Sequence, residues 1–213
     1  MTQAVWIFDL DDTLHNASAH IFPVMNWAMT QYIQTHLQLD EPAACAMRQH
    51  YWRTYGATLK GLMRHHGIHP QHFLSETHAF LTDDMVQTTK RLRQLLLGLP
   101  GRKCVFTNAP RQYAMRVLQV LGIADCFELV FSVESSRFHA KPSLRGFRML
   151  LRALRCKAGD CIMFEDSLPA LMTARRLGMR TVWITRRLHK PVYVNYRLPH
   201  VLALTHSSLK KGI

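Results

Sequence analysis

Asp9, Asp11 and Asp12 stand within four positions of one another at the end of the apolar run Val5 to Phe8, in the stretch WIFDLDDTLH. Like charges packed so closely repel, and burying any of them without a counter-charge raises its pKa or costs stability. The stretch therefore demands a cation. Three other segments carry complementary groups: Thr107 and Asn108 in KCVFTNA, Lys141 in AKPS, and Glu165 and Asp166 in CIMFED. Acidic residues of the first and last segments can hold Mg²⁺, a hard cation that takes oxygen ligands and keeps water and phosphate oxygens in its shell. With that metal and Lys141 neutralising the phosphoryl oxygens, a carboxylate such as Asp9 can attack phosphorus. Asp11, two residues on and on the same side of an extended segment, can protonate a leaving oxygen and later activate water. Thr107 and Asn108, with backbone N–H groups at an adjacent helix start, would bind the transferring phosphoryl group.

These groups meet only if the fold gathers them. Three of the segments end short apolar runs rich in β-branched and aromatic residues, and the runs AVWIFDL, KCVFTNA, FELVFSV, CIMFED and TVWIT read as strands; AKPS follows the third run and precedes a helix. Helical patterns separate the later runs. One opens at Pro110 with Tyr113, Val117 and Leu121 on one face and stops at Gly122. A second opens at Ser143 with Leu144, Phe147, Leu150, Leu151 and Leu154 on its apolar side, and a third is capped by Ser167 and followed by Gly178. The alternation predicts an α/β fold with a Rossmann-like, mostly parallel sheet covered on both faces. In such sheets functional groups collect at the carboxyl ends of the strands, where these residues lie. One more strand is predicted near VYVNY.

Between the first and second strands the alternation breaks. The intervening chain is too long for a loop and almost wholly helical in pattern, which predicts a core of residues 1–14 and 98–213 with a helical cap of residues 15–97 inserted. Ile21, Val24, Ala28, Tyr32 and Ile33 make one stripe; Asp40, Pro42 and Gly56 punctuate a second helix; a third is predicted from Thr82 to Gly98.

Apolar residues make up 48% of the 213, enough for a substantial core, and the formal charge of +13 suits acidic partners, although no long basic run exists. The five cysteines lack C-x-x-C spacing and lie mostly in apolar contexts, as reduced thiols do. The thirteen histidines read as surface or satisfied polar residues. No apolar stretch is long enough to span a bilayer and no signal-like start is visible, so a soluble cytoplasmic protein is predicted, with no membrane partner.

The four segments together resemble the haloacid dehalogenase superfamily. DLDDT matches its DxDx[TV] first motif, VFTNA supplies the second motif's Thr107, AKPS the Lys141 motif, and MFEDS the acidic fourth motif, in order along the chain. The resemblance extends to a helical insertion after the first motif, as in C1-capped members. It implies Asp9 as aspartyl nucleophile and Asp11 as acid and base. It also implies Mg²⁺ held by Asp9, the Asp11 carbonyl and Asp166, with Glu165 as a ligand or an acceptor behind them. Dehalogenases of the superfamily carry an aromatic residue in place of the second Asp of DxD, so Asp11 points to phosphate esters.

Within the superfamily, the cap stretch YWRTYGATLKGLMRHHGIHPQHFL is similar to the pyrimidine 5′-nucleotidase branch, as is FHAKPS. Two departures are Asp12, where that branch often has Asn, and Ser143 after the Lys-Pro pair, where many relatives have Asp. The similarity implies a nucleoside monophosphate substrate; Tyr55 and Thr58, read as polar loop residues flanking Gly56, are the candidate contacts to it. Another small phosphomonoester, such as a sugar phosphate or phosphoglycolate, is the alternative substrate. A non-catalytic nucleic-acid-binding protein is the alternative of a different class; no recognised RNA or DNA motif appears, so no specific nucleic acid is expected, and the chain is expected as a monomer or homodimer.

Overall fold

The computed structural model describes residues 3–204. Its centre is β1 (Val5–Phe8), every residue of which is buried. On one side β1 pairs in parallel with β2 (Arg102–Phe106), and β2 with β3 (Leu129–Phe131); on the other side come β4 (Cys161–Glu165), β5 (Arg180–Ile184) and β6 (Tyr196–Leu198). The order β3-β2-β1-β4-β5-β6 is parallel at every pairing. The strand order therefore reverses at β1, which opens a crevice beyond its carboxyl end.

The strand-forming residues explain this placement. Both faces of a parallel sheet are covered, so its central strands must be apolar throughout. Crossover helices α6 (Arg111–Val120), α7 (Leu144–Leu154) and α8 (Leu168–Arg176) supply that cover. On one face Ile7, Cys104, Phe106 and Met163 pack with Phe147, Leu150 and Leu154 of α7 and with Leu171 and Ala174 of α8. On the other, the rings of Phe8 and Phe164 stack at 4.7 Å. Phe8 is the register partner of Phe164, so Asp9 and Glu165 are the next residues out on neighbouring strands.

Residues Ala17–Met85 form a separate compact unit, and the remaining described residues belong to the sheet-bearing unit. The helical unit consists of α1 (Ala17–Leu37), α2 (Glu41–Tyr55), α3 (Thr58–His66) and α4 (Pro70–His78). Asp40 caps α2 by accepting the Ala43 N–H at 2.9 Å, and Gly56 ends it in the left-handed region at φ 78°.

The helical insertion is shorter than the 15–97 expected from the sequence. Helix α5 (Lys90–Gly98) belongs with the sheet: it buries Leu92 and Leu96, and Arg93 donates to the Gly122 carbonyl at 2.7 Å and forks onto the Asp125 carboxylate. The helix predicted from Thr82 is also shorter. Asp83–Met85 is one 3₁₀ turn, and α5 starts at its own cap, Thr89. The intervening Val86, Thr88 and Thr89 are β-branched and disfavour continuous helix. The sixth strand follows the predicted VYVNY with only Tyr196 in common, because Asn195 instead accepts the Thr181 N–H at 3.0 Å. All five cysteines are free thiols. No helix among the described residues is long and apolar enough to cross a membrane.

Candidate active site

The carboxyl ends of β1 and β4 place Asp9 and Glu165 side by side, and Lys141 joins them. Its Nζ donates to Asp9 Oδ1 and to Glu165 Oε2, both at 2.6 Å. All three are buried, at 6%, 2% and 5% exposure for Asp9, Glu165 and Lys141. Glu165 Oε1 also accepts the Ser167 N–H at 3.1 Å, at the start of α8. Partly exposed Asp166 completes the group, and its carbonyl accepts the Trp183 indole N–H at 2.8 Å.

The electrostatics follow from that inventory. Burial pushes Asp9 up to about 7, reinforced by the Glu165 charge and opposed by Lys141. Burial likewise raises Glu165 to about 7, against the pull of Lys141, and raises Asp166 to about 6 with help from Asp9. Burial alone would favour a neutral Lys141, but Asp9 and Glu165 outweigh it and hold the ammonium above its ordinary range. One ammonium against three carboxylates leaves negative charge without compensation. Asp9, Glu165 and Asp166 each offer an oxygen within 4.8 Å of the others, an all-oxygen donor set that fits a hard divalent cation.

Asn108 and Thr107 come off β2 beside this cluster. The Thr107 N–H donates to the Phe131 carbonyl at 3.1 Å, and its hydroxyl accepts the Ala109 N–H at 3.0 Å, leaving the O–H proton to donate. Asn108 departs from the sequence expectation of a phosphoryl contact. Its amide donates to the Lys141 carbonyl at 3.0 Å and accepts the Lys141 N–H at 2.7 Å, so the side chain grips the backbone of the lysine.

Asp11 has two partners that the sequence reading did not assign. Tyr113, read there only as an apolar-face residue of α6, donates its hydroxyl to Asp11 Oδ1 at 2.6 Å. His15 Nε2 lies 2.9 Å from the same oxygen. The i, i+4 spacing of Asp11 and His15 was the one visible signal; nothing in the sequence linked Tyr113 to Asp11 across 102 positions. Burial, then the Asp11 charge, raises the Tyr113 pKa far above its ordinary value, so it remains a donor. Asp12 takes a left-handed backbone, φ 57°, which Asp tolerates better than most residues.

Tyr55 and Thr58 both lie in the helical unit. Tyr55 shares a 2.6 Å hydrogen bond with His65 Nε2. Thr58 is not a loop residue but the first residue of α3, buried, with its hydroxyl donating to the Arg48 carbonyl at 3.1 Å.

An all-parallel sheet whose acids and lysine converge at the switch point defines an α/β protein working from its strand ends. The chain belongs to the haloacid dehalogenase-like hydrolases, whose family pattern matches residues 4–178. It is 28% identical over 136 residues to phosphate metabolism protein 8 of Saccharomyces cerevisiae, covering 58% of this chain and 41% of that one. It is 26% identical over 107 residues to the validoxylamine A 7′-phosphate phosphatase of Streptomyces hygroscopicus subsp. limoneus, covering 50% and 48%. The chain thus spans less than half the length of either curated relative. A crystal structure of a HAD phosphatase from Thermococcus onnurineus shares the fold, with a TM-score of 0.65 at 19% identity over 99% of this chain and 97% of that one.

Proposed function

We propose that this protein is a Mg²⁺-dependent phosphomonoester hydrolase acting through a phosphoryl group carried on Asp9. The observation that carries the reading is the Lys141 bridge from Asp9 to Glu165 with Asp166 alongside, a buried acid cluster short of positive charge. Asp9, Glu165 and Asp166, with the Asp11 carbonyl, would hold Mg²⁺, which when bound supplies positive charge against the phosphoryl oxygens.

The chain's own groups divide the remaining work. Lys141 opposes the protonation of Asp9 and holds it close, and ionised Asp9 attacks phosphorus as the bond to the ester oxygen breaks. Asp11 gives its proton to the leaving oxygen, then takes one from the water that opens the acyl phosphate, releasing inorganic phosphate and restoring Asp9. The Thr107 hydroxyl donates to a phosphoryl oxygen. The phosphatase name of the Streptomyces relative supports phosphate esters as the substrate class.

The finer reading is a nucleoside 5′-monophosphatase preferring pyrimidines. It rests on the similarity of the stretch from Tyr51 to Leu74 to the pyrimidine 5′-nucleotidase branch. The test is inorganic phosphate release from a panel of nucleoside monophosphates, sugar phosphates and phosphoglycolate, in Mg²⁺ or EDTA, beside Asp9→Asn. Release that requires Mg²⁺ and Asp9 and concentrates on UMP and CMP is expected. Release concentrated on another ester keeps the mechanism and discards the nucleotidase assignment, and full activity of Asp9→Asn sinks both.

A further inference from the structure

Every hydrogen bond that reaches the Asp11 carboxylate within the described residues ends on one oxygen. Tyr113 donates to Oδ1 from the first turn of α6, and His15 meets the same Oδ1 from four residues along the chain. Both partners are buried, Tyr113 at 3% exposure and His15 at 7%. Among the described residues the His15 Nδ1 is buried without a hydrogen-bond partner. An orphaned buried N–H is rare, so Nδ1 carries the lone pair and Nε2 the proton, which makes His15 the second donor to Oδ1.

Two charge-assisted donors on one oxygen concentrate the negative charge there and fix the plane of the carboxyl group. Placing a proton on Oδ1 would set an O–H against two donors and break at least one of those bonds. We infer that His15 and Tyr113 are positioning residues that lock Asp11 by Oδ1 and so reserve Oδ2 as the atom that passes the proton. The assignment rests on the phosphomonoesterase reading above. In the step it concerns, the P–O ester bond breaks, its electron pair goes to the leaving oxygen, and that oxygen takes the proton held on Oδ2. The water attack that follows returns a proton to Oδ2.

Leaving groups separate this role from a merely structural one. An alkoxide leaves badly without a proton, whereas 2,4-dinitrophenolate leaves unaided, so a misplaced acid harms only the first. The value of kcat/KM reports the steps up to the first irreversible one and excludes the later water attack. The experiment compares the alkyl phosphate best hydrolysed in the panel with 2,4-dinitrophenyl phosphate, for the unaltered protein, Tyr113→Phe, His15→Phe and His15→Gln. With thermal melts confirming folded proteins, Tyr113→Phe and His15→Phe should each lose about 10- to 100-fold on the alkyl ester, part of the 10²–10⁴ that general acid catalysis supplies, and about threefold or less on the aryl ester. His15→Gln keeps an amide donor and should recover most of the alkyl activity. Equal losses on the two esters, or no loss on either, overturn the assignment while leaving the phosphatase reading intact. No turnover of either ester by the unaltered protein overturns that reading and the assignment with it.

Discussion

Asn108 and Lys141 exchange two hydrogen bonds across 33 positions of sequence, one through each end of the asparagine amide. The amide matches the peptide it grips, donor to carbonyl and acceptor to N–H, and no other side chain except glutamine carries both functions in that form. The segment that delivers the ammonium to Asp9 and Glu165 is thereby fixed to the end of β2.

Replacing Asn108 with Asp keeps the acceptor and deletes the donor, which strands the Lys141 carbonyl beside a like charge. A stability loss of about 1–3 kcal/mol is expected, the cost of an unsatisfied partly buried group. Phosphate release should fall at least tenfold, because Lys141 loses its anchor. Thermal melts and a phosphate assay check the two outcomes, and normal activity in a destabilised variant rejects the positioning role.

Lys141→Met removes the one ammonium that, among the described residues, is bonded to the acid cluster. Breaking a buried charge pair costs about 3–5 kcal/mol when the partner is left charged. Asp9 and Glu165 can escape part of that cost by taking up protons, so the deficit in EDTA should be larger at pH 8 than at pH 5. Chemical denaturation at the two pH values measures it. A deficit independent of pH contradicts the bridging geometry.

The acid cluster also sets the pH dependence of the metal-free protein. Asp9, Glu165 and Asp166 sit at about 7, 7 and 6 in the fold against ordinary values of 3.8, 4.5 and 3.8. Between those limits the folded state binds more protons than the unfolded one, so stability falls as pH rises. The contribution is fully present below about pH 4 and is lost by about pH 8. In EDTA, Tm should therefore drop from pH 5 to pH 8. Mg²⁺ should raise it most at pH 8, where fewer protons compete for the ligands. A Mg²⁺ effect that shrinks toward high pH refutes the cluster as the metal site.

Gly146, in the first turn of α7, leaves no room for a side chain: a Cβ there would collide with the His139 carbonyl. Backbone does not yield as a flexible side chain does, so Gly146→Ala should cost about 1–3 kcal/mol. His139 is two residues before Lys141, and the displaced backbone should also lower phosphate release. Melting and activity measured together test whether the loss reaches the lysine.

Most of the sheet could be read from the chain because buried parallel strands announce themselves as short apolar runs with functional residues at one end. Asp9, Glu165 and Asp166 are legible for that reason, and Lys141 through the AKPS motif between the third run and the next helix. The hold of the Asn108 side chain on Lys141 is not legible, since it depends on a peptide 33 positions away that no local pattern specifies. Tyr113 was hidden for another reason. A tyrosine on the apolar stripe of a helix packs its ring as Phe would, and only the tertiary structure shows where the hydroxyl ends. The boundary of the helical insertion was misplaced because α5 is amphipathic like the helices before it, and periodicity does not say which core a helix covers.

The Lys141 bridge has a consequence for how the protein is made. It ties groups 132 positions apart on one side and 24 on the other, and β1 finds its β4 neighbour only after all the residues between them exist. A ribosome-bound fragment that ends before β4 holds Asp9 but lacks both Glu165 and the strand that seats it. The acid cluster therefore cannot assemble before β4 has been made. Equally, a single cut in the loop between β3 and α7 that released Lys141 would undo the bridge with Asp9 untouched.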